Sequence, residues 1–159
     1  MLAHPPIRQA TLADLSALLE LERRVFSGDR LSTRQYQRHI TSKTAQVLIA
    51  GQLGQVLGNA VVFFRKGLDI ARLYSIAVAP QAQGLRLGAV LLVAAENNAR
   101  ARGCTRMRLE VRQDNPAAIR LYEREGYHRF GARANYYEDG MAAWRYEKPL
   151  VKRRETRLQ

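Results

Sequence analysis

The chain has 159 residues, 47% hydrophobic and 25% charged, which suits one globular domain with its own core and excludes a disordered or low-complexity chain. A single cysteine excludes an internal disulfide framework and fits a reducing cytoplasm. The formal net charge of +12 is compatible with nucleic acid, a ribosomal surface or an acidic ligand.

The arginines are dispersed through the second half, with one cluster at Lys152-Arg153-Arg154 and Arg157. Dispersed arginine reads as a solvated surface, so no dedicated nucleic-acid site is expected. No apolar run approaches the roughly 20 residues of a membrane span. Met1 to Pro6 has neither the basic nor the apolar region of a secretory signal. A cytoplasmic location without membrane contact is the expectation. Residues 1–150 read as one domain and 151–159 as a basic, frayed tail.

Thr11 can cap a helix whose apolar positions Leu15, Leu18, Leu19, Val25 and Phe26 follow helical spacing. A second helix spans Thr33 to about Ser42, after a polar break at 27–30. Val47–Ala50, Val56–Phe64 and Ile70–Val78 read as three strands with short turns, an antiparallel meander. Pro80 cannot donate to a sheet ladder and ends the third. A turn punctuated by Gly84 leads into a long helix, Gln83 to Arg102, with Leu87, Val90, Leu91, Ala94 and Ala95 on one face and Gly103 as its stop.

Met107 to Val111 alternates apolar and charged residues, as a half-buried strand does. Cys104, just before it, reads as a small core residue. Pro116 opens a short helix capped by Asp114 or Asn115 and stopped by Gly126. Tyr127–Phe130 and Ala142–Leu150 close the chain as strands. The class is α+β, in the order ααβββαβαββ. His4, His39 and His128 lack metal-ligand spacing and are expected at the surface.

Helix starts carry unpaired N–H groups and a favourable dipole, so the turn before the long helix can hold an anion. Gly84 and Gly88 let a phosphate come close to the backbone. The segment Ile76-Ala77-Val78 through Gln83-Gly84-Leu85-Arg86-Leu87-Gly88 resembles the acyl-CoA-binding Gln/Arg-x-x-Gly-x-Gly/Ala segment of the GCN5-related N-acetyltransferase superfamily. Gln83 fills its first position and Gly88 its last. Arg86 stands where that family has its first glycine, which leaves a basic ribosome- or RNA-binding module without catalysis as an alternative.

Leu109-Glu110-Val111-Arg112, then Asn115-Pro116-Ala117-Ala118-Ile119-Arg120-Leu121-Tyr122, then Gly126-Tyr127, is similar to the signature of ribosomal-protein alanine N-acetyltransferases. Asn135-Tyr136-Tyr137 is similar to their paired tyrosines. The resemblance covers nearly the whole chain. It implies acetyl-CoA as cofactor, Glu110 as general base, Tyr122 as general acid, Asn115 on the pantetheine arm, and Tyr136 and Tyr137 on the acceptor. Glu138 or Asp139 would attract a cationic amine.

From the residues alone, Glu110 between Arg108 and Arg112 equally suits an ion-pair row, and Tyr122 a core aromatic. No Ser/His/Asp arrangement is present, which favours direct transfer. The acceptor implied is a protein N-terminus, for instance of a ribosomal protein. A small amine (polyamine, amino acid or aminoglycoside) is the alternative.

Overall fold

The structure is a computed structural model describing residues 4–151. Its elements are β1 (Ile7–Gln9), α1 (Leu15–Val25), α2 (Thr33–Thr41), β2 (Ala45–Ala50), β3 (Gly58–Phe64), β4 (Ile70–Val78), α3 (Leu87–Ala101), β5 (Arg106–Arg112), α4 (Pro116–Arg124), β6 (His128–Arg133) and β7 (Ala143–Pro149). They form a seven-stranded sheet in the order β1-β2-β3-β4-β5-β7-β6. The basic cluster at 152–157 lies outside the described residues.

The α+β order expected from the sequence is present, with one strand more. β1 has three residues and is held by antiparallel pairing to β2, Ile7 opposite Ala50. A segment that short shows no alternation long enough to read. The long helix starts at Leu87 rather than Gln83. Pro80–Ala82 forms a 3-10 turn, Gln83 is extended, and Gly84 has φ +97°, a left-handed value that breaks any helical run.

Hydrophobic side chains pack on both faces of the sheet. On one face α3 inserts Leu87, Leu91, Leu92, Ala95 and Ala99 against Leu48, Val62, Leu73, Met107 and Leu109. Leu91 and Leu92 are fully buried, each worth about 1.5–3 kcal/mol of transfer free energy. On the other face α1 and α2 pack Leu18 and Tyr36 onto Val47, Ile49 and Val61.

Two buried carboxylates are paired, whereas Gln46 Oε1 and Asn59 Oδ1 find no hydrogen-bond partner among the described residues. Glu96 of α3 accepts from Tyr127 Oη at 2.7 Å and from Lys148 Nζ at 3.0 Å. Under α1, Glu22 accepts from Tyr36 Oη at 2.6 Å and from the Leu31 N–H at 3.1 Å. Of the histidines, His39 corrects the expectation. It is buried, its ring 4.8 Å from that of Phe63, and burial holds its pKa below the usual value. Cys104 is buried in the α3 core, and burial pushes its thiol pKa up.

Two irregularities in the middle of the sheet set up the site. The β3–β4 ladder slips between Val61 and Val62, where Val61 faces Ser75 and Val62 faces Leu73, so Tyr74 is the extra residue of a bulge. Before it, Ala71 and Leu73 face the α3 core; after it, Ile76 and Val78 do, and Ala77 packs with Leu21 of α1. The second is a parting of β4 from β5. Their parallel pairing runs only from Ile70 opposite Arg106 to Leu73 opposite Leu109. Each strand continues with its outer neighbour, β4 along β3 to Val78 and β5 along β7 to Arg112. A wedge opens between them, with inner backbone edges that have no strand partner.

Candidate active site

A cavity of about 1420 Å³ occupies this wedge and runs out to both faces of the sheet. One arm is bounded by Ile76, Ala77, Val78, Gln83, Gly84, Arg86, Leu87, Gly88, Asn115 and Tyr122; the other by Arg72, Glu110, Tyr136 and Tyr137. Of the residues expected on the cofactor side, Leu85 alone does not line the cavity. Its side chain is 39% exposed, turned outward by the Gly84 geometry.

The first arm is made of backbone. The first backbone bond into α3 is Val90 N–H to Arg86 O, at 3.2 Å. Among the described residues, the N–H groups of Gly84, Arg86, Leu87, Gly88 and Ala89 therefore have no backbone acceptor, and no side chain caps the helix. Five donors at the positive end of a 15-residue helix make an anion site. Arg86 has φ +54° and ψ +30°, the left-handed region that glycine enters freely. The departure from the glycine pattern thus changes a side chain and keeps the turn.

Gly88 serves packing. A Cβ there would lie 3.2 Å from Leu121 Cδ2, so its absence lets α3 approach α4. Asn115 caps α4, its Oδ1 accepting from the Ala118 N–H at 3.2 Å.

Tyr122 projects from α4 on the α3 side of the sheet. It is 8% exposed, its hydroxyl makes no hydrogen bond to a described residue, and burial pushes its pKa up to about 12. The phenol is therefore protonated throughout the neutral range, with a free O–H at the cavity wall.

The second arm is made of side chains. Met107, Leu109 and Val111 of β5 point into the α3 core, so Glu110 points to the opposite face. Its neighbours in sequence do not hold it: Arg108 bonds Glu147 at 2.8 Å, and Arg112 bonds Asp139 at 2.5 Å and Asp114 at 3.0 Å. Glu110 instead meets Arg72 Nε of β4 at 3.2 Å, Arg145 Nε of β7 at 3.7 Å and Arg133 Nε of β6 at 3.9 Å. Arg145 follows from the register, which sets it directly opposite Glu110. Glu110 thus sits in an ion-pair cluster whose partners come from β4, β6 and β7, not from Arg108 and Arg112.

Arg72 also donates to Tyr136 Oη at 2.5 Å. The rings of Tyr136 and Tyr137 meet edge to face at 4.9 Å, and Arg112 lies 4.9 Å from the centre of Tyr137. Burial raises the Tyr137 pKa. Asp139 is occupied by Arg112, which holds its pKa below the usual carboxylate range. Its carboxylate is thus paired with a guanidinium, as that of Glu110 is. Asp29, at φ +53° in the α1–α2 loop, accepts from the Glu138 N–H at 3.3 Å. The two loops meet there over the mouth of this arm.

Arg72, Asp29 and Glu22 line the cavity unforeseen. Arg72 and Asp29 reach it through contacts remote in sequence, which no local pattern displays. Glu22 had a readable signal: a carboxylate four residues after Leu18, on the apolar stripe of α1.

The site thus joins a parted parallel strand pair, a helix N-terminus at one end of the gap, and a carboxylate and a phenol on opposite faces of the sheet. The family model "Acetyltransferase (GNAT) family" matches residues 13–127, and the chain belongs to this family of acetyltransferases.

The chain is 34% identical over 128 residues to the [ribosomal protein bS18]-alanine N-acetyltransferase of Escherichia coli K12, covering 78% of this chain and 81% of that one. It is 30% identical over 135 residues to the enzyme of the same name from Haemophilus influenzae, covering 82% and 86%. The crystal structure of the ribosomal-protein-S18-alanine N-acetyltransferase from Escherichia coli superposes with TM-score 0.81 at 30% identity, over 95% of this chain and 97% of that one.

Proposed function

We propose that this acetyltransferase moves an acetyl group from acetyl-CoA directly to the α-amine of a protein N-terminus. The observation that carries the reading is the wedge, with Glu110 on one face of the sheet and Tyr122 on the other. The bS18-alanine acetylation named for the relatives supports the same acceptor class.

The N–H groups of Gly84, Arg86, Leu87, Gly88 and Ala89 suit a pyrophosphate, with the side chains of Gln83 and Arg86 beside them. The inner edge of Ile76, Ala77 and Val78 is an open strand edge that suits the amides of a pantetheine arm, met from the other side by Asn115. Bound there, acetyl-CoA supplies an activated acyl thioester. Glu110 takes a proton from the incoming ammonium, directly or through water, and its arginine neighbours hold the carboxylate in place. Tyr122 gives its proton to the departing sulfur.

An α-amine has an unperturbed pKa of about 7.7–8.0 and a lysine about 10.4. One carboxylate therefore has less deprotonation to accomplish for an N-terminus. Tyr136 and Tyr137 form the acceptor wall.

Two measurements test the reading. Acetyl-CoA should raise the melting temperature by mass action. An Ala-initiated peptide should turn over faster than the same peptide with a blocked N-terminus and one free lysine, and Tyr137→Ala should weaken that preference. Equal rates on the two peptides, or faster turnover of spermidine, would overturn the α-amine assignment in favour of a small amine.

A further inference from the structure

The loop between α1 and α2 forms one side of the Glu110 arm. Val25, Phe26, Gly28 and Asp29 line the cavity there, together with Glu22 and Leu31. The loop meets the 136–139 loop where Asp29 accepts from the Glu138 N–H, and a Cβ on Gly28 would lie 3.5 Å from Glu138 Oε2. Among the described residues, no backbone–backbone hydrogen bond reaches residues 27–31. Side chains hold this segment instead. Arg30 Nε donates to Phe26 O at 2.6 Å on the exposed side, and Glu22 Oε2 accepts from the Leu31 N–H at 3.1 Å on the buried side. The Asp29 contact is exposed as well, so Glu22 supplies the one buried hydrogen bond among these ties.

Glu22 is 3% exposed. Among the described residues no cation lies within ion-pair distance of it, Arg30 included, whose guanidinium is turned to the Phe26 and Arg23 carbonyls. Burying a carboxylate without a cation is costly unless hydrogen bonds replace the lost water. Both of its oxygens accept one. Tyr36 of α2 donates to Oε1 at 2.6 Å, and Asn59 Nδ2 of β3 donates to Tyr36 Oη at 2.9 Å. Burial raises the Tyr36 pKa, so that hydroxyl keeps the proton it donates. One oxygen is thus anchored through α2 to the sheet, and the other is aimed at the loop. A Met or Leu would complete the apolar stripe of α1 without desolvating a charge, but neither could hold the loop N–H.

Resting on the N-terminal acceptor reading, we propose that Glu22 is a positioning residue, whose carboxylate sets the 27–31 loop as the wall that seats the incoming N-terminus toward Glu110. It touches no reacting atom. Its loss therefore acts on acceptor binding and leaves the acetyl-CoA arm, built from 76–89 and α4, as it is.

The test is kinetic, on the Ala-initiated peptide with acetyl-CoA. Glu22→Met should raise the acceptor KM about tenfold, as loss of one hydrogen bond to a charged group does, with kcat within about threefold and acetyl-CoA affinity unchanged by calorimetry. Glu22→Gln should restore most of the KM, because its amide oxygen can keep the Leu31 N–H while its NH2 donates to Tyr36 Oη. Tyr36→Phe is the control. It removes the inner donor and leaves the loop tie, so it should lower the melting temperature with the acceptor KM unchanged. If Glu22→Met does not melt cooperatively, Glu22→Asp, which draws the carboxylate back from the loop by one methylene, carries the same test at about threefold.

An unchanged acceptor KM in a folded Glu22→Met variant overturns this inference alone. So does an acceptor KM in Tyr36→Phe that rises in step with the loss of melting temperature, which would assign the whole network to stability. A wild-type enzyme that binds acetyl-CoA but turns over spermidine faster than the peptide overturns the N-terminal acceptor reading, and this inference with it.

Discussion

The two arms of the cavity are built from different materials. The helix-start arm is mostly backbone from one continuous stretch, 76–89, with α4 lying against it. The arm around Glu110 is mostly side chain, drawn from β4, β5, β6, β7 and the loops at 29 and 136–139. A backbone site keeps its function when a side chain changes, provided the dihedral angles hold, and Arg86 in a glycine's conformation is an example. A side-chain site has no such tolerance, but each partner can be altered alone to retune what it accepts. The common part of the chemistry thus sits on the first arm and the selective part on the second.

The sharpest way to break this division is at the two groups that face each other across the wedge. Tyr122→Phe and Glu110→Gln should each lower kcat by about 10²-fold, within the range of general acid–base groups. Acetyl-CoA affinity, measured by calorimetry, should stay nearly unchanged in both. Loss from Glu110→Gln should be greatest at low pH, where the amine is protonated. Since the Tyr122 pKa is raised to about 12, its deprotonation should not limit turnover below about pH 10. Losses under threefold in both variants would assign the two residues to structure.

Next in size is the support beneath the first arm. Lys148→Met leaves the Glu96 carboxylate buried with Tyr127 as its remaining partner. Removing one member of a buried pair is strongly destabilising, and with Lys148 partly exposed the expected loss is about 2–3 kcal/mol by urea denaturation. The turn itself should respond less. Gly84→Ala at φ +97° should cost about 1 kcal/mol. Arg86→Gly should keep acetyl-CoA affinity within about threefold and leave stability equal or slightly higher. A larger loss of affinity would show that the guanidinium, and not only the turn, holds the anion.

The smallest effect lies outside both arms. His39 has its pKa lowered from 6.5 by burial, so the unfolded chain gains that proton first as pH falls. Its contribution to stability is complete above about pH 6.5 and is lost as pH falls through the lower folded value. His39→Gln should flatten the slope of the urea midpoint between pH 7 and 5, by some tenths of a kcal/mol.

The same division explains what the sequence made legible. The element order, the Asn115 cap, the Pro80 stop and the glycine-punctuated turn are local, each written within a few residues of where it acts. The partners of Glu110 were not legible, because Arg72, Arg133 and Arg145 reach it through strand pairings whose register no single segment contains. β1 was too short to show a period, and the start of α3 was masked by Leu85 and Leu87, which suit a helix equally well on either side of Arg86. His39 was misplaced because nothing in residues 33–42 shows that Phe63 will stack on it.

The bulge at Tyr74 has a consequence for the length of the chain. One added residue reverses the phase of β4, so Ala71 and Leu73 before it and Ile76 and Val78 after it share the α3 side. Deleting Tyr74 would restore strict alternation with Ile76 and Val78 still toward α3 and Ala77 still toward α1. Such a chain would be shorter by one residue with every remaining side chain of the strand on its present face, so what Tyr74 adds is the local bend and twist where β4 parts from β5.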